Sequence, residues 1–132
     1  MDSRSFEFAR EWLEKSEHDR SAAYTLMKAD PPLPDIAAFH CQQAFEKMFK
    51  AFLTFHGKVF EKTHDLGRLC KLCESIDSDF GIFLDRVDVY TDFAVDYRYP
   101  GVTEPEMTDV QQALTVLTEV RNFVTSRILE NE

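Results

Sequence analysis

The stretch DIAAFHCQQAFEKMFKAFLTF, from Asp35 to Phe55, decides the fold because it is one long and unusually apolar helical pattern. At about 100° per residue its apolar side chains cover an arc of roughly 200°, whereas an ordinary surface helix needs a stripe of only about 100°. The arc contains Cys41, Ala44, Phe45, Met48, Phe49, Ala51, Phe52, Leu53 and Phe55. Such a helix needs cover on two sides. We expect its own bundle to cover one side and a second copy of the chain to cover the other, which predicts a homodimer.

The segments on either side of this stretch are also amphipathic helical patterns. A helix from about Ser5 to Ala29 precedes it and ends at the prolines of DPPLPD, because proline cannot continue a helix. Gly57 fits the C-terminal cap of the central helix. A third helix begins near KTHDL, where Thr63 or Asp65 can accept hydrogen bonds from the free N–H groups of the first turn.

Two further segments complete the pattern. A fourth helix is predicted from Asp79 to Asp96 and ends around Arg98, before Pro100. The fifth opens with TEPE, in which Thr103 and Glu106 have the spacing of a capping box. No window shows sustained two-residue alternation, so no strand is expected. The pattern therefore predicts an all-α, up-and-down bundle of four to five helices.

Composition sets the broad class of the protein. The 132 residues fit a single domain, residues 1–132, and the net charge of −9 argues against broad nucleic-acid binding, which needs a basic face. The longest uncharged run, Ile36 to Phe45, is far shorter than the roughly 20 apolar residues of a membrane span. The charged N-terminal stretch lacks the apolar core of a signal peptide. Together with an odd number of cysteines, this predicts a reduced, cytoplasmic protein.

Cys70 and Cys73 form a C-x-x-C pattern on the third helix. A structural zinc site needs four ligands, usually from a second such pair, and the sequence has none. The two positions also fall on the apolar stripe of the helix, which favours buried thiols. We therefore predict no metal and no cofactor.

The sequence DYRYPG places Arg98 between Tyr97 and Tyr99. A cation after a helix C-terminus is favoured by the exposed carbonyls, so Arg98 can be structural. Arginine also matches phosphate with two parallel hydrogen bonds, and the tyrosine rings can stack on a base. Both interpretations remain open on the residues alone.

Asp19 interrupts the apolar stripe of the first helix. A buried carboxylate is costly unless it is paired, and Arg98, Arg121, Lys47 and His64 are candidate partners. An intramolecular ion pair is one interpretation, and a polar cleft between helices is the other. His64 can act as an acid–base group or pack at a helix start.

Three motifs in this order resemble the HEPN domain, named for higher eukaryotes and prokaryotes nucleotide-binding, in its stand-alone bacterial and archaeal type. They are FHCQQAFEKMFKAFL (Phe39–Leu53), KTHDLGRLC (Lys62–Cys70) and DYRYPG (Asp96–Gly101). The resemblance implies an up-and-down helical bundle that commonly dimerises. Many members are RNA-cutting toxins or act beside a small nucleotidyltransferase, and others bind a nucleotide near the dimer interface.

Ribonuclease members of the family carry an arginine, then four to six residues, then a histidine. None of His18, His40, His56 and His64 follows an arginine at that spacing. The resemblance therefore favours a non-catalytic homodimer that binds a nucleotide or phosphate ligand, acts with a small nucleotidyltransferase in a toxin–antitoxin-like module, or does both. The candidate ligand residues are Arg98, Tyr97, Tyr99, Lys47, Lys50, His64, Asp19 and Gln43. The alternatives are a metal-independent ribonuclease toxin and a purely structural protein-interaction module.

Overall fold

The computed structural model describes residues 3–94 and 99–130, and within these residues the chain is helical with no strand. Its α-helices are α1 (Ser3–Lys28), α2 (Pro34–Phe55), α3 (Leu66–Glu74), α4 (Leu84–Asp88) and α5 (Met107–Leu129). Short 3-10 helices, which we call the 3-10 turns, occupy Ser78–Phe83 and Thr91–Ala94. This confirms the all-α bundle of four to five helices. Among these helices, none has the length and hydropathy needed to cross a membrane.

Helix α2 is the centre of the bundle and packs most extensively against α1. Small side chains allow the close approach, since Ala9 and Ala23 of α1 are fully buried. The Ser16 hydroxyl donates a hydrogen bond of 2.8 Å to the Ala44 carbonyl of α2. Because Ser16 is buried, this bond satisfies a polar group that would otherwise cost free energy in the core.

The wide apolar arc of α2 is covered by one copy of the chain. All nine arc residues are 0–1% exposed, because α1, α3, α5 and the Thr91–Ala94 turn surround α2. The expectation that a second copy must cover one side of α2 is therefore wrong. The breadth of the arc reflects the central position of this helix and gives no argument for a dimer.

Helix α3 begins as expected, with Asp65 as its cap. The Asp65 carboxylate accepts a hydrogen bond of 3.0 Å from the Arg68 N–H, while the Thr63 hydroxyl accepts one from the Asp65 N–H. Cys70 and Cys73 are free and buried, as predicted. Burial, with a smaller effect of the Glu74 carboxylate, raises the pKa of the Cys70 thiol to about 12. Across residues 3–94 and 99–130 no group of three metal-ligating side chains occurs.

The expected continuous helix from Asp79 to Asp96 is wrong. The short helix α4 lies between the two 3-10 turns, whose backbone bonds include Phe80 N–H to the Asp77 carbonyl and Phe93 N–H to the Tyr90 carbonyl. The tighter winding turns Phe80, Phe83 and Phe93 into the core. The free energy gained by burying the three rings therefore exceeds that of a continuous α-helix. Gly81 and several β-branched residues already disfavour such a helix.

The start of α5 also differs from the expected Thr103–Glu106 capping box. Glu106 is itself the N-cap, its side chain accepts from the Asp109 N–H, and Asp109 accepts from the Glu106 N–H at 3.1 Å. Pro105 explains the shift, because the residue before a proline is biased towards extended backbone. Helical geometry therefore begins only after Pro105.

Candidate functional site

One side of α2 carries a row of polar and charged groups, which we call the polar strip. It faces α1 and the loop between α2 and α3. Its members are Asp19 of α1, His40, Gln42, Gln43, Glu46, Lys47 and Lys50 of α2, and His64 of the loop. Spacings of three and four residues place the α2 members next to one another on the helix.

Asp19 organises the first half of the polar strip. One carboxylate oxygen contacts His40 Nδ1 at 2.8 Å, and the other accepts from Lys47 Nζ at 2.5 Å. Asp19 is buried, so both contacts offset the cost of removing its charge from water. Of the two interpretations of Asp19, the structure shows the ion pair, with Lys47 as its cation and His40 as a second partner.

Glu46 repeats this arrangement in the second half of the strip. One carboxylate oxygen contacts His64 Nδ1 at 2.6 Å, and the other accepts from Lys50 Nζ at 2.8 Å. Gln42 donates to the same carboxylate at 3.2 Å and to the His64 carbonyl at 2.9 Å. Burial acts to raise the pKa of Glu46, but the hydrogen bonds from Lys50, His64 and Gln42 outweigh it and hold the pKa below its ordinary value.

The two halves are therefore matched carboxylate–His–Lys units. A carboxylate only accepts hydrogen bonds, so the Nδ1 atom that it contacts must carry the proton. When the ring is neutral, Nε2 is then the acceptor. The side chains of His40 and His64 are 30% and 68% exposed, so both rings can be reached from solvent.

Residues 9–129 match the family model of the HEPN domain, which covers nearly the whole chain. The chain belongs to the HEPN family. This confirms the resemblance drawn from the three sequence motifs. The comparisons with curated proteins and with solved structures gave no significant match.

The lysines of this HEPN chain that were expected to meet an anion are engaged within the fold. Lys47 is paired with Asp19, and Lys50 is paired with Glu46. The Lys50 ammonium also lies 5.7 Å from the Trp12 ring and 5.8 Å from the Phe60 ring, within the range of cation–π attraction. Lys50 is therefore a structural cation, whereas Lys47, with a more exposed side chain, keeps two ammonium donors beyond the one used by Asp19.

Of the remaining predicted ligand residues, Gln43 and Tyr99 lie within the described residues. Gln43 lies on the polar strip and donates to the Gln42 amide oxygen at 2.8 Å. Tyr99 is exposed. Tyr97 and Arg98 lie outside the described residues, so their predicted role stays a prediction. The preceding turn packs near the strip, since the Thr91 hydroxyl accepts from the Leu66 N–H at 3.0 Å.

Sequence reasoning missed His40, Gln42 and Glu46 as members of the site. The four-residue spacing of Gln42, Glu46 and Lys50 is a signal that identifies this half of the strip, since such residues meet on one helix face. His40 shares a helix face with Gln43 and Lys47, but its partner Asp19 comes from a different helix, so the sequence gives no signal for that contact.

We predict that Glu46→Gln destabilises the protein strongly. The substitution leaves the ammonium of Lys50, a residue that is only 8% exposed, without its carboxylate. Breaking a buried pair from one side costs about 3 kcal/mol or more. Urea unfolding at pH 7 measures this loss. The matched control is Glu61→Gln, which breaks the exposed Arg68–Glu61 pair and is expected to cost less than about 1 kcal/mol.

The same two variants, Glu46→Gln and Glu61→Gln, also test how the stabilisation by Glu46 depends on pH. The folded pKa of Glu46 lies below its ordinary value of 4.5, so its stabilisation is present above pH 4.5. It is lost as the pH falls through the folded pKa. The stability gap between wild type and Glu46→Gln should therefore narrow in acid. Equal losses for the two variants at pH 7, or a constant gap, would contradict the assignment.

Proposed function

We propose that this HEPN protein is a non-catalytic binding protein whose ligand is a nucleotide or another phosphate-bearing molecule, bound along the polar strip. The observation that carries the proposal is the pair of matched carboxylate–His–Lys units on one face of α2. Titratable groups that are partly buried, mutually coupled and open to solvent on one side are typical of functional sites.

The polar strip offers suitable donors for a phosphate. Lys47 has two ammonium donors left after Asp19 has taken one, and protonation of His40 at Nε2 supplies another beside it. With His40 neutral, the first unit has no net charge. A second proton on the His40 ring would give the unit a charge of +1, which favours a phosphate anion.

The proposal assigns the third cation to Arg98, with Tyr97 and Tyr99 stacking on a base. Its support is chemical, because a guanidinium holds phosphate with two parallel hydrogen bonds and aromatic rings bind bases of any sequence. The last described residue before Arg98 is Ala94, which ends the Thr91–Ala94 turn. Thr91 of that turn contacts the start of α3, close in sequence to His64.

We also propose that the protein forms a homodimer and acts beside a small nucleotidyltransferase in a toxin–antitoxin-like module. Membership of the HEPN family supports both parts, since members commonly pair and act with such enzymes. The proposed contact surface between the two subunits is the outer side of residues 78–94, where Ile82 and Val89 are exposed. Apolar side chains of this kind are candidates for burial between subunits.

Calorimetric titration of ATP and GTP tests the ligand assignment. Wild type is expected to bind, and Arg98→Ala should weaken binding by at least about tenfold, because a hydrogen bond to a charged group contributes about 1.5–3 kcal/mol. Lys28→Ala, an exposed lysine at the far end of α1, is the control and should match wild type. Sedimentation equilibrium on the same samples should give a dimer.

Heats near zero for wild type would rule out the proposed ligand. A different outcome supports the structural-module alternative: Arg98→Ala lowers the melting temperature by about 3–6 °C and leaves the nucleotide heats unchanged. Arg98 would then stabilise its loop and bind no ligand.

A second candidate function, the metal-independent ribonuclease, is favoured by the orientation of the two histidines. Each ring is held through Nδ1 by a carboxylate, which leaves Nε2 free to take a proton, as a general base requires. The missing arginine–histidine pattern of ribonuclease members speaks against it. The orienting contacts alone do not supply the second catalytic group.

Incubation of the purified chain with single-stranded RNA and EDTA separates the two functions. A binding protein leaves the RNA intact, and its induction in cells does not arrest growth. RNA cleavage that disappears in both His40→Ala and His64→Ala, but persists in His18→Ala, would establish the ribonuclease instead.

A further inference from the structure

A cleft with a volume of about 420 Å³ lies between the loop that precedes α3 and α3 itself. Its walls include Val59, Phe60 and Glu61 of the loop and Arg68, Lys71 and Leu72 of α3. Small-molecule sites commonly have volumes of about 300–1,000 Å³. The size of this cleft therefore fits a small molecule.

One wall of the cleft is apolar and open to water. Val59 is 89% exposed, which is unusual for a valine that lies beside other apolar groups, here Phe60 and Leu72. Covering such surface is favourable by about 25 cal/mol for each Å² removed from water. The cleft therefore favours a ligand with an apolar body.

The surroundings of the cleft are basic, although the protein is acidic. From Lys58 to Lys71 the chain has four Lys and Arg residues against Glu61 and Asp65, a net charge of +2, which leaves −11 for the rest of a chain with −9. Both acidic groups are engaged. Asp65 caps α3, and Glu61 pairs with Arg68.

The cations at the cleft are available to a ligand. Lys58, Lys62 and Lys71 are exposed and make no ion pair with any residue of 3–94 or 99–130. The Arg68–Glu61 pair joins side chains that are 65% and 57% exposed, and such pairs contribute at most about 1 kcal/mol. A ligand anion can therefore replace Glu61 at the guanidinium with little loss.

The loop wall is held in place before any ligand arrives. The Lys58 N–H donates to the Leu53 carbonyl at 2.9 Å, and the loop's other end is tied to α2 by the contacts of His64 with Glu46 and Gln42. The Lys50 ammonium lies against the Phe60 ring. A preformed wall lowers the entropy cost of binding.

We propose that this cleft is a binding site for a small organic anion with an apolar body, either a carboxylate or a phosphate ester. The apolar body covers Val59, Phe60 and Leu72. The anion lies between Arg68 and Lys71. No member of the polar strip lines this cleft, and the proposal does not depend on the function assigned to that strip.

Titration with 1-anilinonaphthalene-8-sulfonate, an aromatic anion that fluoresces on apolar surfaces, tests the site. Lys71→Glu should weaken binding at least tenfold, because it replaces a cation at the anion position by a carboxylate. The matched control is Lys28→Glu, which changes the net charge equally at the opposite end of the α1–α2 hairpin and should stay within twofold of wild type. Val59→Ser should weaken binding without any change of charge.

Amide NMR shifts on the same samples locate the probe, and they are expected on residues 58–75. Competition experiments then identify the chemical class of the ligand. Displacement of the probe by octanoate indicates a carboxylate, and displacement by AMP indicates a phosphate ester. A second surface of α1, formed by Phe8 and Trp12, can also attract an apolar probe, because Phe8 is exposed. The proposal is overturned if the probe does not bind, if Lys71→Glu and Lys28→Glu bind equally well, or if the shifts cluster on that second surface instead. Thermal melts check that each variant is folded, which is expected because all three positions are exposed.

Discussion

A polar side chain on a helix that is surrounded on almost every side must find a partner within the protein, because it cannot reach water. Helix α2 is in this position, with fourteen of its residues buried, including Gln42, Glu46 and Lys50. Leaving the Glu46 carboxylate or the Lys50 ammonium unpaired would cost several kcal/mol. The pairing of these groups therefore fixes where the loop before α3 can lie, because Glu46 and Gln42 hold it at His64.

The same pairing separates two kinds of cation in the molecule. Lys47 and Lys50 are neutralised by carboxylates of the fold, so they contribute positioned donors and little net positive potential. The cations around the loop and α3 are exposed, and among the described residues Arg68 is the one of them that forms an ion pair. The polar strip consequently suits a ligand that forms hydrogen bonds with these positioned donors, whereas the cleft suits an anion that supplies its own apolar surface.

The sequence predicts the parts of the structure that depend on local chemistry. The bounds of α2, the Asp65 cap and the buried thiols follow from helical periodicity, side-chain hydrogen bonding to free N–H groups, and position on the apolar stripe. The need of Asp19 for a cation also follows, because the cost of a buried carboxylate does not depend on the details of the fold.

The parts that failed depend on contacts between distant segments. The helix expected over Asp79–Asp96 is broken because Phe80, Phe83 and Phe93 reach the core more easily from 3-10 turns. Periodicity shows how wide the apolar arc of α2 is, but not that α1, α3 and α5 cover it. His40 joins the site only because α1 brings Asp19 to it.

The proton positions on His40 and His64 test the central claim most directly. Nitrogen-15 NMR of the imidazole rings, recorded at a pH where both rings are neutral, distinguishes the two tautomers. If buried carboxylates hold the rings as described, both protons lie on Nδ1 and Nε2 is bare. Protons on Nε2 with bare Nδ1 atoms would mean that neither carboxylate–His–Lys unit exists in solution, and the account of the polar strip would fail.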